Sequence, residues 1–264
     1  MITSNKNQIL KETKSLKLKK SRDDRNQFFI EGTRIFEEAL ASNCRVSSVF
    51  FSETFSESDY AKGLQKEPRL KNVPIHIVAD KIFDEISDTE NPQGILCVID
   101  KIIWNDKEIL QGSEFFILLE SIQDPGNMGT IIRTADAAGA DAIILSKKCV
   151  DIYNPKVLRA TMGSVFHIPI LLDVDTTQTI NVLKDAGVKV FASHLEAKKE
   201  YFEVNLTGKI AVIIGNEANG ISEEVAVLAD ELIKIPMPGD AESLNASVAA
   251  AIIAFERVRQ THSQ

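Results

Sequence analysis

The side chains most able to do chemistry cluster in three short segments of the second half of the chain. Each segment mixes Gly or Pro with amide, hydroxyl or charged residues. The first, residues 121–129, reads Ser-Ile-Gln-Asp-Pro-Gly-Asn-Met-Gly and runs into Thr-Ile-Ile-Arg-Thr-Ala-Asp-Ala-Ala-Gly. Its glycines permit a tight turn into a helix, and a helix amino end can hold an anion. Asn127 stands just before the expected helix and Arg133 about one turn into it, so both could face a ligand above a sheet. The plainer reading is a tight turn with a surface arginine. The second segment, residues 213–222, is Ile-Ile-Gly-Asn-Glu-Ala-Asn-Gly-Ile-Ser. Gly215 and Gly220 have the spacing of a phosphate-binding loop, but Ile221 stands where that loop needs lysine. Glu217, set between the two glycines, is an odd choice for turn-making alone, although an acid also suits a helix amino end. The third segment, residues 235–249, is Ile-Pro-Met-Pro-Gly-Asp-Ala-Glu-Ser-Leu-Asn-Ala-Ser-Val-Ala. Ser243 and Asn245 precede an apolar helix, where capping accounts for either one singly. Capping does not account for the whole segment.

The apolar pattern supplies the elements that must position these loops. Runs that are wholly apolar at 115–119, 142–145 and 210–214, and mostly apolar at 188–193 and 232–235, read as buried strands. Helical stretches at 130–138, 155–162, 178–186 and 222–228 alternate with them, and 245–259 closes the chain as an apolar helix. That alternation predicts an α/β fold with a mostly parallel sheet covered on both faces. Ligands of such sheets collect at the carboxyl ends of the strands, where the three segments fall. The first hundred residues predict a smaller α/β unit, with a basic helix over 5–20 and further helices over 34–43, 59–70 and 80–87. Its strands are expected at 46–52, 73–78 and 94–100. The pattern loosens near 104–112, which divides the chain into domains 1–105 and 106–264.

Composition narrows the chemistry. The three cysteines are far apart and form no C-x-x-C pair, and the four histidines are equally dispersed. No metal site is therefore expected. No apolar run approaches membrane-spanning length, and no signal-peptide core opens the chain, so a cytoplasmic protein is expected. The absence of G-x-G-x-x-G weighs against a nicotinamide-dependent oxidoreductase. Net charge is −8, yet residues 1–34 carry nine Lys/Arg against four acids, a local +5 that leaves −13 on the remainder. A basic end on an acidic chain suits phosphate, although a solvated helix surface gives the same pattern.

In order and spacing, the three segments resemble the motifs of the SpoU-type ribose methyltransferases of the SPOUT superfamily. The shared features are Asn127 six residues before Arg133, the Gly-Asn-Glu…Gly loop, and Ile-Pro-Met followed by Ser-Leu-Asn-x-Ser-Val-Ala. Residues 154–163, Asn-Pro-Lys-Val-Leu-Arg-Ala-Thr-Met-Gly, are similar too. So are 28–34 and 91–95, which look like that family's substrate domain. The resemblance implies a parallel sheet with a deep carboxyl-terminal trefoil knot, preceded by a small RNA-binding domain similar to a ribosomal protein. It implies S-adenosylmethionine as cofactor, held by Ser193, His194 and Leu195, by Ile214, Gly215, Asn216 and Gly220, and by Ile235, Met237 and Leu244. It implies methyl transfer to a ribose 2′-hydroxyl of RNA, with Arg133, Asn127, Glu217, Ser243 and Asn245 in the catalytic set. Arg133 would activate the hydroxyl as a base or anchor a phosphate, since a guanidinium normally keeps its proton. Ribosomal RNA is the expected acceptor, with transfer RNA and a catalytically inactive RNA-binding relative as alternatives. The family usually works as a homodimer, and the apolar face over 246–255 suits such packing.

Overall fold

The computed structural model describes residues 1–216 and 218–262. Two compact units emerge: Met1–Ile103 with Asp151–Phe166, and Trp104–Val150 with His167–Gln264. The first holds α1 (Gln8–Ser15), α2 (Lys19–Arg25), β1 (Gln27–Glu31), α3 (Thr33–Ala41), β2 (Val46–Ser52) and α4 (Glu53–Ser56). It continues through α5 (Asp59–Leu64), β3 (Ile75–Val78), α6 (Asp80–Ile86) and β4 (Ile95–Asp100). The second begins with α7 (Asp106–Gly112), β5 (Phe115–Leu119), α8 (Pro125–Ala137) and β6 (Ala142–Ser146). The chain then enters the first unit for α9 (Pro155–Thr161) and leaves it again for β7 (Ile170–Val174), α10 (Thr176–Asp185) and β8 (Lys189–Ser193). It ends with β9 (Lys199–Glu200), β10 (Ile210–Ile214), α11 (Glu223–Leu228), β11 (Glu231–Lys234) and α12 (Ala246–His262). Among the described residues no helix is long and apolar enough to cross a membrane, and no group of three His, Cys, Asp or Glu is placed to hold a metal.

In the first unit the strands run β1-β4-β2-β3. β4 is antiparallel to both neighbours, and Phe29, Phe50, Leu96 and Val98 build one side of the core with Leu10, Leu16 and Phe83. Two sequence expectations fail here for local reasons. The helix expected over 5–20 breaks after Ser15, because the carbonyls of Leu16 and Lys17 turn to accept from Arg22 Nη1 at 2.8 and 2.9 Å. Arg22, which the basic segment offered to phosphate, is 3% exposed and pairs with Asp151. A buried guanidinium needs such partners for its charge and its donors. The helix expected over 59–70 stops at Leu64, since Pro68 cannot continue it and instead opens a short 3-10 turn. Strand β1 was masked in the sequence by its position directly after the basic helices.

The larger sheet has seven strands in the order β7-β6-β5-β10-β8-β11-β9. Every pairing in it is parallel. β5, β6 and β10 are buried along their whole length, which is why their sequences are unbroken apolar runs. The sequence pattern missed β7, whose outer residues Leu172 and Asp173 are exposed because it lies at the sheet edge. Because all strands point the same way, the loops after β5, β6, β8, β10 and β11 share one end of the sheet.

Candidate active site

The loop after β5 sets the first part of the site. Helix α8 begins at Pro125, five residues earlier than the sequence pattern suggested. Asp124 Oδ1 accepts from the Asn127 amide at 2.7 Å, and proline at the first helical position needs no donor there. Asn127 therefore lies inside the first turn of α8 rather than before it. Arg133 lies two turns in, about 9 Å farther along the axis than Asn127 and roughly 120° around it. The two residues therefore start from different faces of α8. Arg133 is exposed and makes no hydrogen bond or ion pair among the described residues.

The loop after β10 supplies the second part. Asn216 and Gly220 exchange backbone hydrogen bonds of 3.0 and 2.8 Å, closing a small hairpin. A β-carbon on Gly215 would lie 2.2 Å from the Gly220 carbonyl carbon, so only glycine fits there. Gly220 has φ +65°, a left-handed conformation that glycine adopts without strain. Asn216 Oδ1 accepts from the Ala218 amide at 2.9 Å, and its Nδ2 donates to the Ser121 carbonyl at 2.9 Å. The Ser121 amide in turn donates to Ser146 Oγ at 3.0 Å. Ser121 itself has φ +60°, a conformation uncommon for a residue with a β-carbon. This serine thus ties together the loops after β5, β6 and β10. Glu217 lies outside the described residues.

The third part follows β11. Residues 235–244 form no helix or strand, and among the described residues none of their backbone groups takes part in a hydrogen bond. That leaves a run of main-chain donors and acceptors open to solvent or to a ligand. Asn245 then does two things at once. Its Oδ1 accepts from the Ser247 amide at 2.9 Å and the Ser247 hydroxyl at 2.6 Å, capping α12. Its Nδ2 donates to Asn127 Oδ1 at 2.8 Å, joining the start of α12 to the first turn of α8. The second Nδ2 proton makes no hydrogen bond among the described residues.

The two roles of Asn245 separate by mutation. Asn245→Ala should lower stability by about 1 kcal/mol through the lost cap. Asn245→Ser should keep the cap and the melting temperature while losing the link to Asn127. Equal melting temperatures for the wild type and the alanine variant would remove the capping role.

The loops after β8, β10 and β11 line one cavity of about 630 Å³, within the usual range for a small-molecule site. Its walls include all ten residues assigned to the cofactor from sequence: Ser193, His194 and Leu195; Ile214, Gly215, Asn216 and Gly220; and Ile235, Met237 and Leu244. Ser243 also lines it, whereas Asn127, Arg133 and Asn245 do not. The structure adds Glu196, Lys234 and Glu242 to the walls. Each adjoins a residue already singled out, but nothing in the sequence showed that its side would face the cavity. His194 Nδ1 accepts from the Glu196 amide at 3.2 Å, which leaves the ring proton on Nε2 if the ring is neutral. Burial pushes the Cys149 thiol up, so it stays a neutral donor to the Leu119 carbonyl rather than a nucleophile.

Comparison with known proteins identifies this arrangement. Residues 114–255 match the model of the SpoU rRNA Methylase family, and residues 7–97 match the MRM3-like substrate binding domain. The chain is 37% identical over 255 residues to the 23S rRNA (guanosine(2553)-2'-O)-methyltransferase RlmP of Bacillus subtilis, covering 96% of this chain and 97% of that one. It superposes with a TM-score of 0.88 on an AdoMet-bound rRNA methyltransferase from Sinorhizobium meliloti at 33% identity, covering 98% and 97% of the two chains. The SpoU methyltransferase AviRb from Streptomyces viridochromogenes, in complex with the cofactor AdoMet, gives 0.86 at 27% identity and covers 98% and 99%. With these matches over nearly its full length, the chain belongs to the SpoU rRNA methylase family of S-adenosylmethionine-dependent RNA 2'-O-methyltransferases.

Proposed function

We propose that the protein methylates a ribose 2'-hydroxyl of ribosomal RNA, with the cavity beside β8, β10 and β11 as its S-adenosylmethionine site. The observation that carries this reading is the convergence of ten residues, from three separate segments of the chain, on one cavity walled partly by unengaged main chain. The residues suit the cofactor. Main-chain amides and carbonyls over 235–244 can read the edge of an adenine, and Gly215 keeps the loop close. Bound S-adenosylmethionine supplies a methyl group on a cationic sulfonium.

The chain's own residues then have separable tasks. Ser243 lies in the cavity wall, and the Asn127–Asn245 pair holds α8 against the start of α12. The remaining Nδ2 proton of Asn245 is available to orient the ribose oxygen. Arg133, exposed and uncommitted, binds the acceptor strand. Its guanidinium holds a phosphate and lowers the energy of the alkoxide that develops as the 2'-hydroxyl gives its proton to water. Glu217, within the same motif, belongs to this catalytic set by resemblance.

Ribosomal RNA is favoured over transfer RNA because the relative with 96% coverage is named for a 23S rRNA substrate and the first unit matches a substrate-binding domain. The exposed Lys11, Lys14, Lys19 and Lys20 of that unit suit phosphate. We further propose the trefoil knot and a cytoplasmic homodimer. Val248 and Phe255, 44% and 48% exposed and seven residues apart on α12, offer an apolar stripe for a second copy. A dimeric mass by light scattering would support it and a monomeric mass would remove it.

The test is transfer of label from methyl-tritiated S-adenosylmethionine to unmodified ribosomal RNA. Label should appear in 2'-O-methylated nucleosides after digestion. Label in methylated bases, or none in any RNA fraction, would refute the assignment.

A further inference from the structure

Strand β6 ends at Ser146, and the next two residues are Lys147 and Lys148. They sit at the tip of a turn closed by the Cys149 amide donating to the Ser146 carbonyl at 3.1 Å. Turn tips ordinarily take Gly, Asn, Asp or Pro, whose backbones suit them. Two adjacent lysines instead repel each other. Both are exposed, and among the described residues neither makes an ion pair or hydrogen bond. The Lys147 charge acts on Asp175. Its carboxyl is held below the usual range chiefly by the Gln178 amide and the Thr177 hydroxyl, with the lysine charge adding to them. Among the described residues no carboxylate lies within ion-pair distance of either lysine.

The turn is not a loose loop. Ser146 Oγ accepts from the Ser121 amide at 3.0 Å, Cys149 Sγ donates to the Leu119 carbonyl at 3.3 Å, and the Val150 amide donates to the Ile122 carbonyl at 2.8 Å. These bonds clamp it to the segment that launches α8, with Asn127 and Arg133. β6 is two strands from β10, about 10 Å across the sheet at the ordinary strand spacing. The cavity lies on the far side of the β5 loop, and its wall carries Glu196, Glu242 and Lys234. The carboxyl end of the sheet is thus divided: two acids against one lysine line the side that would take a cationic donor, and Lys147 and Lys148 stand on the other.

We infer that the Lys147–Lys148 turn is a docking surface for the sugar–phosphate backbone of the acceptor RNA, holding phosphates that flank the target nucleotide. The inference rests on the functional reading above. Lysine serves as a point charge for phosphate without reading bases, so this surface adds affinity rather than sequence choice. Its rigid tie to α8 means that phosphates held there place the strand relative to Asn127 and Arg133.

The experiment measures filter binding of unmodified ribosomal RNA to the full-length protein across a salt series, with donor affinity measured alongside. K147A/K148A should weaken RNA binding about 10- to 30-fold near 0.1 M salt and make the slope of log K against log salt shallower by about 1.4. Donor affinity should stay within twofold, and K147R/K148R should bind RNA as the wild type does. An unchanged RNA affinity and slope in the alanine variant would overturn the docking surface while leaving the methyltransferase reading intact. Loss of donor binding in that variant would overturn it too, by showing the turn to be structural. If the wild type binds donor but no RNA, the functional reading falls and the docking surface with it.

Discussion

Arg133→Ala should lower kcat for RNA methylation between about 10²- and 10⁴-fold, the span expected for a group that acts on the proton or charge of a reacting hydroxyl. Donor affinity should not change, because Arg133 lies outside the cavity. Stability should not change by more than about 0.5 kcal/mol, because the side chain is exposed and makes no hydrogen bond or ion pair among the described residues. That combination of a large catalytic loss with an intact fold and cofactor site identifies a residue committed to the acceptor. Arg133→Lys separates its two possible tasks. A phosphate anchor needs only positive charge, so lysine should recover much of the rate at saturating RNA. A group that must present a planar fork to phosphate and hydroxyl together would not be rescued. A kcat for Arg133→Ala within threefold of wild type would remove the residue from the mechanism.

The second large effect is expected at Gly215. A β-carbon there would lie 2.2 Å from the Gly220 carbonyl carbon, 2.4 Å from its oxygen and 2.4 Å from the Ile221 nitrogen. All three are main-chain atoms, so no rotamer change relieves the overlap. Gly215→Ala must open the hairpin and break the paired backbone bonds between Asn216 and Gly220. The cavity wall moves with them. Donor affinity should fall at least about 100-fold, equivalent to roughly 2.7 kcal/mol, and the melting temperature should fall as well. Gly220→Ala adds only the strain of φ +65°, with open space around the new carbon, and should cost about 1–2 kcal/mol. Gly112→Ala, in open space, without a positive φ and away from the cavity, serves as the control and should bind donor within twofold of wild type. Isothermal titration with S-adenosylmethionine reads all three. Any other order of affinities would show that close backbone approach at Gly215 does not shape the site.

Much of this was legible in the residues because it depends on neighbours in sequence. The unbroken apolar runs of β5, β6 and β10 reveal a sheet buried on both faces, since no alternation is needed when neither face meets water. The polar segments after β5 and β10 stand out because each follows such a run, and the third follows the shorter apolar stretch of β11. Edge strand β7 was not legible, because its exposed positions break the apolar pattern. The start of α8 is hidden in the sequence because the glycines at 126 and 129 look like a turn, while Asp124 and Pro125 begin the helix ahead of them.

Local sequence determined the α/β alternation, the buried strands, and the three polar segments with their amide and glycine residues. Contacts between distant segments decided the rest. The Asn127–Asn245 bond spans 118 residues and the Asn216–Ser121 bond 95, and no local pattern records either. The same holds for Arg22, which reads as one surface charge among nine until Asp151, 129 residues away, is found beside it. Helical and strand periods describe which face of an element is apolar. Which polar group meets which depends on how the chain packs, and that is settled only when the sheet has formed and its loops share one end.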